Sequence, residues 1–322
     1  MRLLLKRIMF ASFVVALSLS TMRLAQAQVV ETDDQAKIDI YTRFYNNRVA
    51  NEPAAYEAAK EYLAKYPKDD DAYTRYLKPW VALYDKWERK QRVPQLIYDQ
   101  NNFAEGYRLG KQVLAENPND LATLMYLGYG AYLASTAARN ESFNAEARGY
   151  AQKAITAIEG GQAPDEWKPF RDKTDALARL YYTLGFIDFR SNPTQAIDSF
   201  IKTAQLESDL KKAPSTYYFL AAAYETGPYK TMAAAYQTNF AGKPESPASK
   251  AALDKLNLVI DRMIDAYARA IAAAGTDPAN AANKAQWMTS LTNFYKFRHD
   301  GLDTGLNELI AGALAKPLPP KP

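Results

Sequence analysis

The sequence predicts an all-α chain built from helical hairpins, and three observations predict it. No stretch keeps the two-residue alternation of a half-buried strand, and no strand–helix–strand spacing appears. Helix-start and helix-stop signals divide the chain into helical stretches of 12 to 26 residues. They fall at Asn51-Glu52-Pro53, Asn117-Pro118-Asn119-Asp120, Gly160-Gly161, Gly227-Pro228, Gly275 and Asp277-Pro278. One segment spells out a whole hairpin. Leu184-Gly185 sits on a first helix, where the glycine admits a close neighbour. Asn192-Pro193 then starts a second helix, with Asn as N-cap and Pro at the first position. Ala196, Ile197 and Phe200 share one face of that second helix.

Residues 1–27 read as an export segment. Arg2, Lys6 and Arg7 form a positive start, Ile8 to Ser20 is an apolar run of 13 residues, and Ala25-Gln26-Ala27 fits a cleavage site before Gln28. The run is shorter than the roughly 20 residues a spanning helix needs. Removing residues 1–27 takes away four basic groups (Arg2, Lys6, Arg7, Arg23) and no acid. This leaves 36 basic against 36 acidic residues, a net charge of zero. A neutral chain has no overall attraction to nucleic-acid phosphates or anionic lipid, so neither partner is expected. With no cysteine, a disulfide framework, a thiolate metal site and a cysteine nucleophile are all excluded. The expected location is the periplasm or the medium, with no membrane span in the mature chain.

The hairpins follow in order. The first closes with helix Ala55 to Tyr66 and Tyr66-Pro67, twelve residues separating Ala55 from Pro67. The second runs from about Ala72 to Pro118, with a loop expected near Val93-Pro94, a second helix from Phe103 to Glu116, and the same spacing from Gly106 to Pro118. The third carries Leu124, Leu127 and Gly128, then a long loop near 135–142, then Ala147 and Ala154. The fourth is the hairpin already described. The fifth has Tyr217, Leu220, Ala221 and Tyr224, with Ala233 expected on its second helix. Beyond residue 245, Ser246-Pro247 starts a long helix that Gly275 ends, Asp277-Pro278 starts another to about His299, and Asp303 is expected to cap a short third. Pro317-Leu318-Pro319-Pro320-Lys321-Pro322 is expected to be an extended, mobile polyproline segment.

This succession of spacings over roughly residues 35–240 resembles the tetratricopeptide (TPR) repeat family. The resemblance implies a right-handed α-solenoid of four to five hairpins over residues 28–245, with a helical C-terminal cap over 246–316 and the proline-rich tail at 317–322. It also implies a function. Such repeats hold peptides or proteins in a concave groove and do no chemistry. Carried over residue by residue, the groove-lining positions beside each Leu-Gly pair are Met125, Tyr129 and Tyr132 in the third hairpin. In the fourth they are Arg179, Tyr182, Phe186, Phe189 and Arg190, and in the fifth Tyr218 and Glu225. Aromatics and arginine are enriched at binding hot spots, and Arg179 or Arg190 is expected to take a carboxylate. The alternative expectation is that these residues pack on the C-terminal helices and fill the groove from within.

Other candidates for chemistry are few. His299 is the single histidine and is expected at a helix end. Asp69-Asp70-Asp71 lacks calcium-loop spacing and is expected to cap the next helix. No phosphate loop, dinucleotide fingerprint, nucleophile elbow or zincin motif is present, so no catalytic residue, metal or cofactor is expected. Trp80, Leu83, Tyr84 and Trp87 follow helical spacing and are expected to be core, as are Trp167 and Trp287. The 23 tyrosines against 13 phenylalanines suit peptides and also sugars. An exported glycan-binding or glycan-cleaving helical protein is therefore the alternative, for which two carboxylates about 5–10 Å apart in an aromatic cleft would be the mark.

Overall fold

The computed structural model describes residues 27–322, with side chains from Asp34 onward, and among them every regular element is helical. All of the expected export segment except Ala27 lies outside the described residues. The chain divides into two compact units, residues up to Asp85 and residues from Lys86.

In the first unit, α1 (Ala27–Asn47) and α2 (Glu52–Lys65) pack as a neighbouring pair. Asn51 caps α2 by accepting from the Ala54 N–H, with Pro53 in the first turn. The acidic triplet is a cap, as its composition suggested: Asp71 accepts from the Thr74 N–H at 2.7 Å at the start of α3 (Ala72–Pro94) and from the Tyr62 hydroxyl at 2.7 Å. Phe44, Tyr62, Leu77 and Trp80 form the core, Phe44 meeting Trp80 edge-on at 5.0 Å. Leu83 corrects the stripe expectation. It is 49 % exposed, because the buried face of α3 is set by Leu77, Trp80 and Tyr84 and passes it by.

In the second unit, the loop expected near Val93-Pro94 is absent. The helix runs through Pro94 into a π turn, Gln95–Asp99, closed by the Gln100 N–H on the Gln95 carbonyl at 3.0 Å. Then α4 (Phe103–Glu116), α5 (Leu121–Ala137), α6 (Asn144–Glu159), α7 (Lys173–Asp188) and α8 (Pro193–Gln205) follow, four of them capped by Asn102, Asp120, Asp172 and Asn192. From α5 onward each helix packs on the next, and α5 also meets α7. Gly185 does what its place in the pattern suggests. A Cβ there would lie 2.8 Å from the ring of Phe200, which is fully buried.

The fifth hairpin is not formed. After α9 (Pro214–Tyr224) the chain passes through a second π turn, Glu225–Tyr229, into α10 (Lys230–Asn239), keeping helical dihedrals at Glu225, Tyr229 and Lys230. Gly227-Pro228 therefore widens the helix instead of turning it, and Ala233 lies on a continuation rather than an antiparallel partner. The place beside α9 is taken by α11 (Pro247–Ala274), which begins with a Ser246–Ser249 capping box and ends at Gly275, φ 54°. Next come a short 3₁₀ turn, Pro278–Asn280, and α12 (Ala281–Arg298), then α13 (Leu306–Gly312). The cap of α13 is Gly305, φ 88°, and not Asp303, whose carbonyl instead accepts from the Leu306 N–H. The helices beyond residue 245 share one hydrophobic cluster with α8 and α9. Residues 317–322 are non-helical, as proline demands, but they are tied to α8 and α11 and not left loose.

Candidate functional site

Aromatic residues on α5, α7 and α9 meet in one continuous strip within the second unit. At one end, Tyr98 from the first π turn stacks on Tyr129 at 6.1 Å, and Tyr129 stacks on Tyr132 at 5.8 Å. Tyr132 then presents its ring to the edges of Tyr182 and Phe186, both at 5.3 Å. Phe219 gathers the next group, meeting Phe186 at 6.0 Å, Phe189 at 5.6 Å and Tyr182 at 6.3 Å, and it stacks on Phe200 at 5.8 Å. Tyr218 continues from Phe219 to Trp287 on α12, stacked at 5.2 Å. The spacing explains part of the continuity: Tyr129 and Tyr132, and likewise Tyr182, Phe186 and Phe189, recur three or four residues apart and line one face, while on α9 the strip passes through the adjacent Tyr218 and Phe219. Each favourable ring pair contributes about 0.5–1.5 kcal/mol beyond burial.

The ten groove residues expected from the sequence divide into three sets. Met125, Tyr129 and Tyr182 are core: they are buried at 0 %, 9 % and 2 %, and the Tyr182 hydroxyl donates to Ser215 at 3.1 Å. Tyr218 and Glu225 contact the C-terminal helices: Tyr218 stacks on Trp287, and Glu225 accepts from the hydroxyl of Tyr267 at 2.6 Å. Both remain half-buried. Tyr132, Phe186 and Phe189 are half-buried, Arg179 is partly buried, and the Arg190 side chain is 78 % exposed.

The two arginines differ in availability. Arg179 is committed: its Nε donates to both oxygens of buried Asp175, at 3.1 and 3.2 Å, and its Nη1 to the Tyr129 hydroxyl at 3.0 Å. The carboxylate that Arg179 holds in the structure is Asp175 of its own helix. Arg190 pairs with Glu141 at 3.2 Å, both side chains more than half exposed, and such pairs are worth about 0–1 kcal/mol. An incoming carboxylate can displace it at little cost.

Burial is the first cause that pushes the hydroxyls of Tyr98, Tyr132 and Tyr182 above the ordinary phenol range. They stay neutral, which suits donating a hydrogen bond or packing a face and does not suit acting as a base at neutral pH. His299 lies far along the chain at the end of α12, stacked on Tyr295 at 3.9 Å, its Nδ1 2.9 Å from the Tyr295 carbonyl. Among the described residues no cluster of three potential ligands suits a metal ion, and no helix is long and apolar enough to cross a membrane.

Phe219 is the residue the sequence reasoning missed. It sits in α9, Pro-Ser-Thr-Tyr-Tyr-Phe-Leu-Ala-Ala-Ala-Tyr, which is apolar nearly all round and so offers no periodicity to single it out. No family model, curated protein or solved structure matches the chain.

Proposed function

We propose that the chain is a non-catalytic, TPR-like scaffold that holds a peptide or protein segment against the open section of the aromatic strip. The observation that carries this is the cluster of half-buried Tyr132, Phe186, Phe189 and Phe219 beside Arg190, whose ion pair with Glu141 is a weak, exposed one. Rigid aromatics with an exchangeable arginine at the rim are the composition of a binding hot spot. The order of capped helix pairs and the Gly185–Phe200 approach support the TPR-like reading. Export after cleavage near Ala27 belongs to the same proposal and rests on the charge and hydropathy of residues 1–27. Cleavage of a glycan would need two carboxylates free to face a sugar, yet on this strip Asp175 is engaged by Arg179 and Glu225 by Tyr267.

The test is affinity capture from a lysate of the source cells, using the wild-type chain and a Phe189→Ala, Arg190→Ala double variant as baits. A partner retained by the wild type and recovered at least tenfold less by the variant, a difference of about 1.4 kcal/mol, is the expected result. Equal recovery of every retained protein would remove this section of the strip from the site.

A further inference from the structure

Residues 316–322 lie along α11 in a way that reads as ligand recognition. Two arginines of that helix donate to the segment's carbonyls. Arg262 Nε reaches the Pro320 carbonyl at 2.6 Å, and Arg269 Nη2 reaches the carbonyls of Pro317 at 2.8 Å and Lys316 at 3.1 Å. The registers agree. Seven residues of α-helix advance about 10.5 Å. Three residues of polyproline helix advance about 9 Å and complete one turn, so the carbonyls of Pro317 and Pro320 face the same side. The chemistries agree as well. A run of prolines has acceptors and no N–H, while a guanidinium has donors and no acceptor.

The seat is built into the core. Arg269 is only 3 % exposed and is oriented by Asp265, whose carboxylate accepts from its Nε at 2.7 Å. The two arginines oppose Tyr217 and Tyr224, which are also seven residues apart on α9. Burial raises the Tyr224 hydroxyl to about 12 against the pull of Arg262, and the charge of Arg269 likewise opposes the rise at Tyr217. Lys321 completes the contact with an ion pair to Asp198 of α8 at 2.7 Å.

The segment itself is a modest occupant. Leu318 packs against the core, but Pro317, Pro320, Lys321 and Pro322 stay exposed. Beside Lys321 and Pro322 lies a cleft of about 470 Å³, lined by Ile197, Tyr224 and Val259 and by Met232 and Leu258, which remain 37 % and 45 % exposed.

We propose that this face of α11 is a recognition site for an extended proline-rich segment of a partner protein, of the form Pro-x-x-Pro followed by a cation, and that residues 316–322 occupy it in cis. The site is separate from the aromatic strip and does not rest on the function proposed for it. The cis segment competes at an effective concentration of the order of millimolar, so a partner is admitted only when it outbids this internal occupant.

The experiment uses the full-length chain, wild type and a variant with Pro317, Leu318, Pro319, Pro320, Lys321 and Pro322 changed to alternating glycine and serine. Two fluorescein-labelled peptides are titrated by anisotropy: Lys-Pro-Leu-Pro-Pro-Lys-Pro, and a foreign Ala-Pro-Ala-Pro-Pro-Lys-Ala. Circular dichroism checks that each protein is folded. The expected result is that both peptides bind the substituted chain within tenfold of each other and bind the wild type at least tenfold more weakly. Adding Arg262→Gln, a half-buried position, to the substituted chain should weaken both at least tenfold. Three results would each overturn the proposal: no binding to a folded substituted chain, binding indifferent to Arg262→Gln, or binding of the self peptide alone, which would make the contact a private one of this chain.

Discussion

Two neighbouring regions of the second unit look alike in sequence and fold differently. At the end of α7, Asp188 accepts from the N–H groups of Ser191 and Asn192, and Asn192 then caps α8 through the Gln195 N–H. The chain turns and a hairpin forms. At the end of α9, Gly227-Pro228 has no capping side chain, so the chain stays helical through a π turn into α10. The difference teaches that a glycine–proline pair alone does not reverse a helix, whereas a side chain that satisfies the orphan N–H groups of the next helix does. It also decides the site. Because α10 does not fold back, α11 packs on α9, and with α12 it supplies partners for Tyr218 and Glu225, whereas half-buried Tyr132, Phe186 and Phe189 meet rings of α5, α7 and α9.

Substitutions can break this comparison, beginning with the largest effect. Phe200→Ala removes the fully buried ring that closes the α7–α8 hairpin and stacks on Phe219, and should cost about 3–5 kcal/mol in urea denaturation. Met232→Ala on α10, a partly exposed position, should change stability by less than about 0.5 kcal/mol. Gly185→Ala comes next. Its methyl would press on the Phe200 ring, a cost of about 1–3 kcal/mol, seen as a lower denaturation midpoint with unchanged slope.

Capping and titration sharpen the comparison further. Asn192→Ala should cost about 1 kcal/mol, and Pro228→Ala should be near neutral because that proline ends nothing; a loss above about 1.5 kcal/mol at Pro228 would contradict the reading of the π turn. The smallest effect is alkaline. Tyr224 in the fold ionises at about 12, raised first by burial, against about 10 in the unfolded chain. Its contribution is present in full below pH 10 and is lost as the pH rises from 10 to 12, since the unfolded chain releases the proton first. Tyr224→Phe should flatten the stability loss across that window, measured by urea midpoints at pH 9 and 11.

What was legible in the sequence was local. Asp120, Asn192 and Ser246 announce helix starts because a cap acts within three residues, and the glycine at 185 announces close packing because its Phe200 partner lies in the next helix. What was not legible depended on distant chain. Spacing put Tyr182 and Tyr218 on the same kind of face, yet one is core and the other is half-buried and stacked on Trp287, a residue nearly 70 positions away in sequence. The same holds for Glu225, whose partner Tyr267 sits on α11. The polyproline character of 317–322 was plain from composition, but the two arginines that seat it are spaced on a helix whose neighbours only the fold reveals.

The most direct test places a photo-reactive residue at Phe186 in one bait and at Tyr218 in another, both exposed to the same lysate and then irradiated. Phe186 should yield an intermolecular adduct, and Tyr218 only an internal one with α12 at Trp287. An intermolecular adduct from Tyr218, or none from Phe186 in a bait shown to be folded, would contradict a strip that is open at Tyr132, Phe186, Phe189 and Phe219 and occupied at Tyr218 by Trp287.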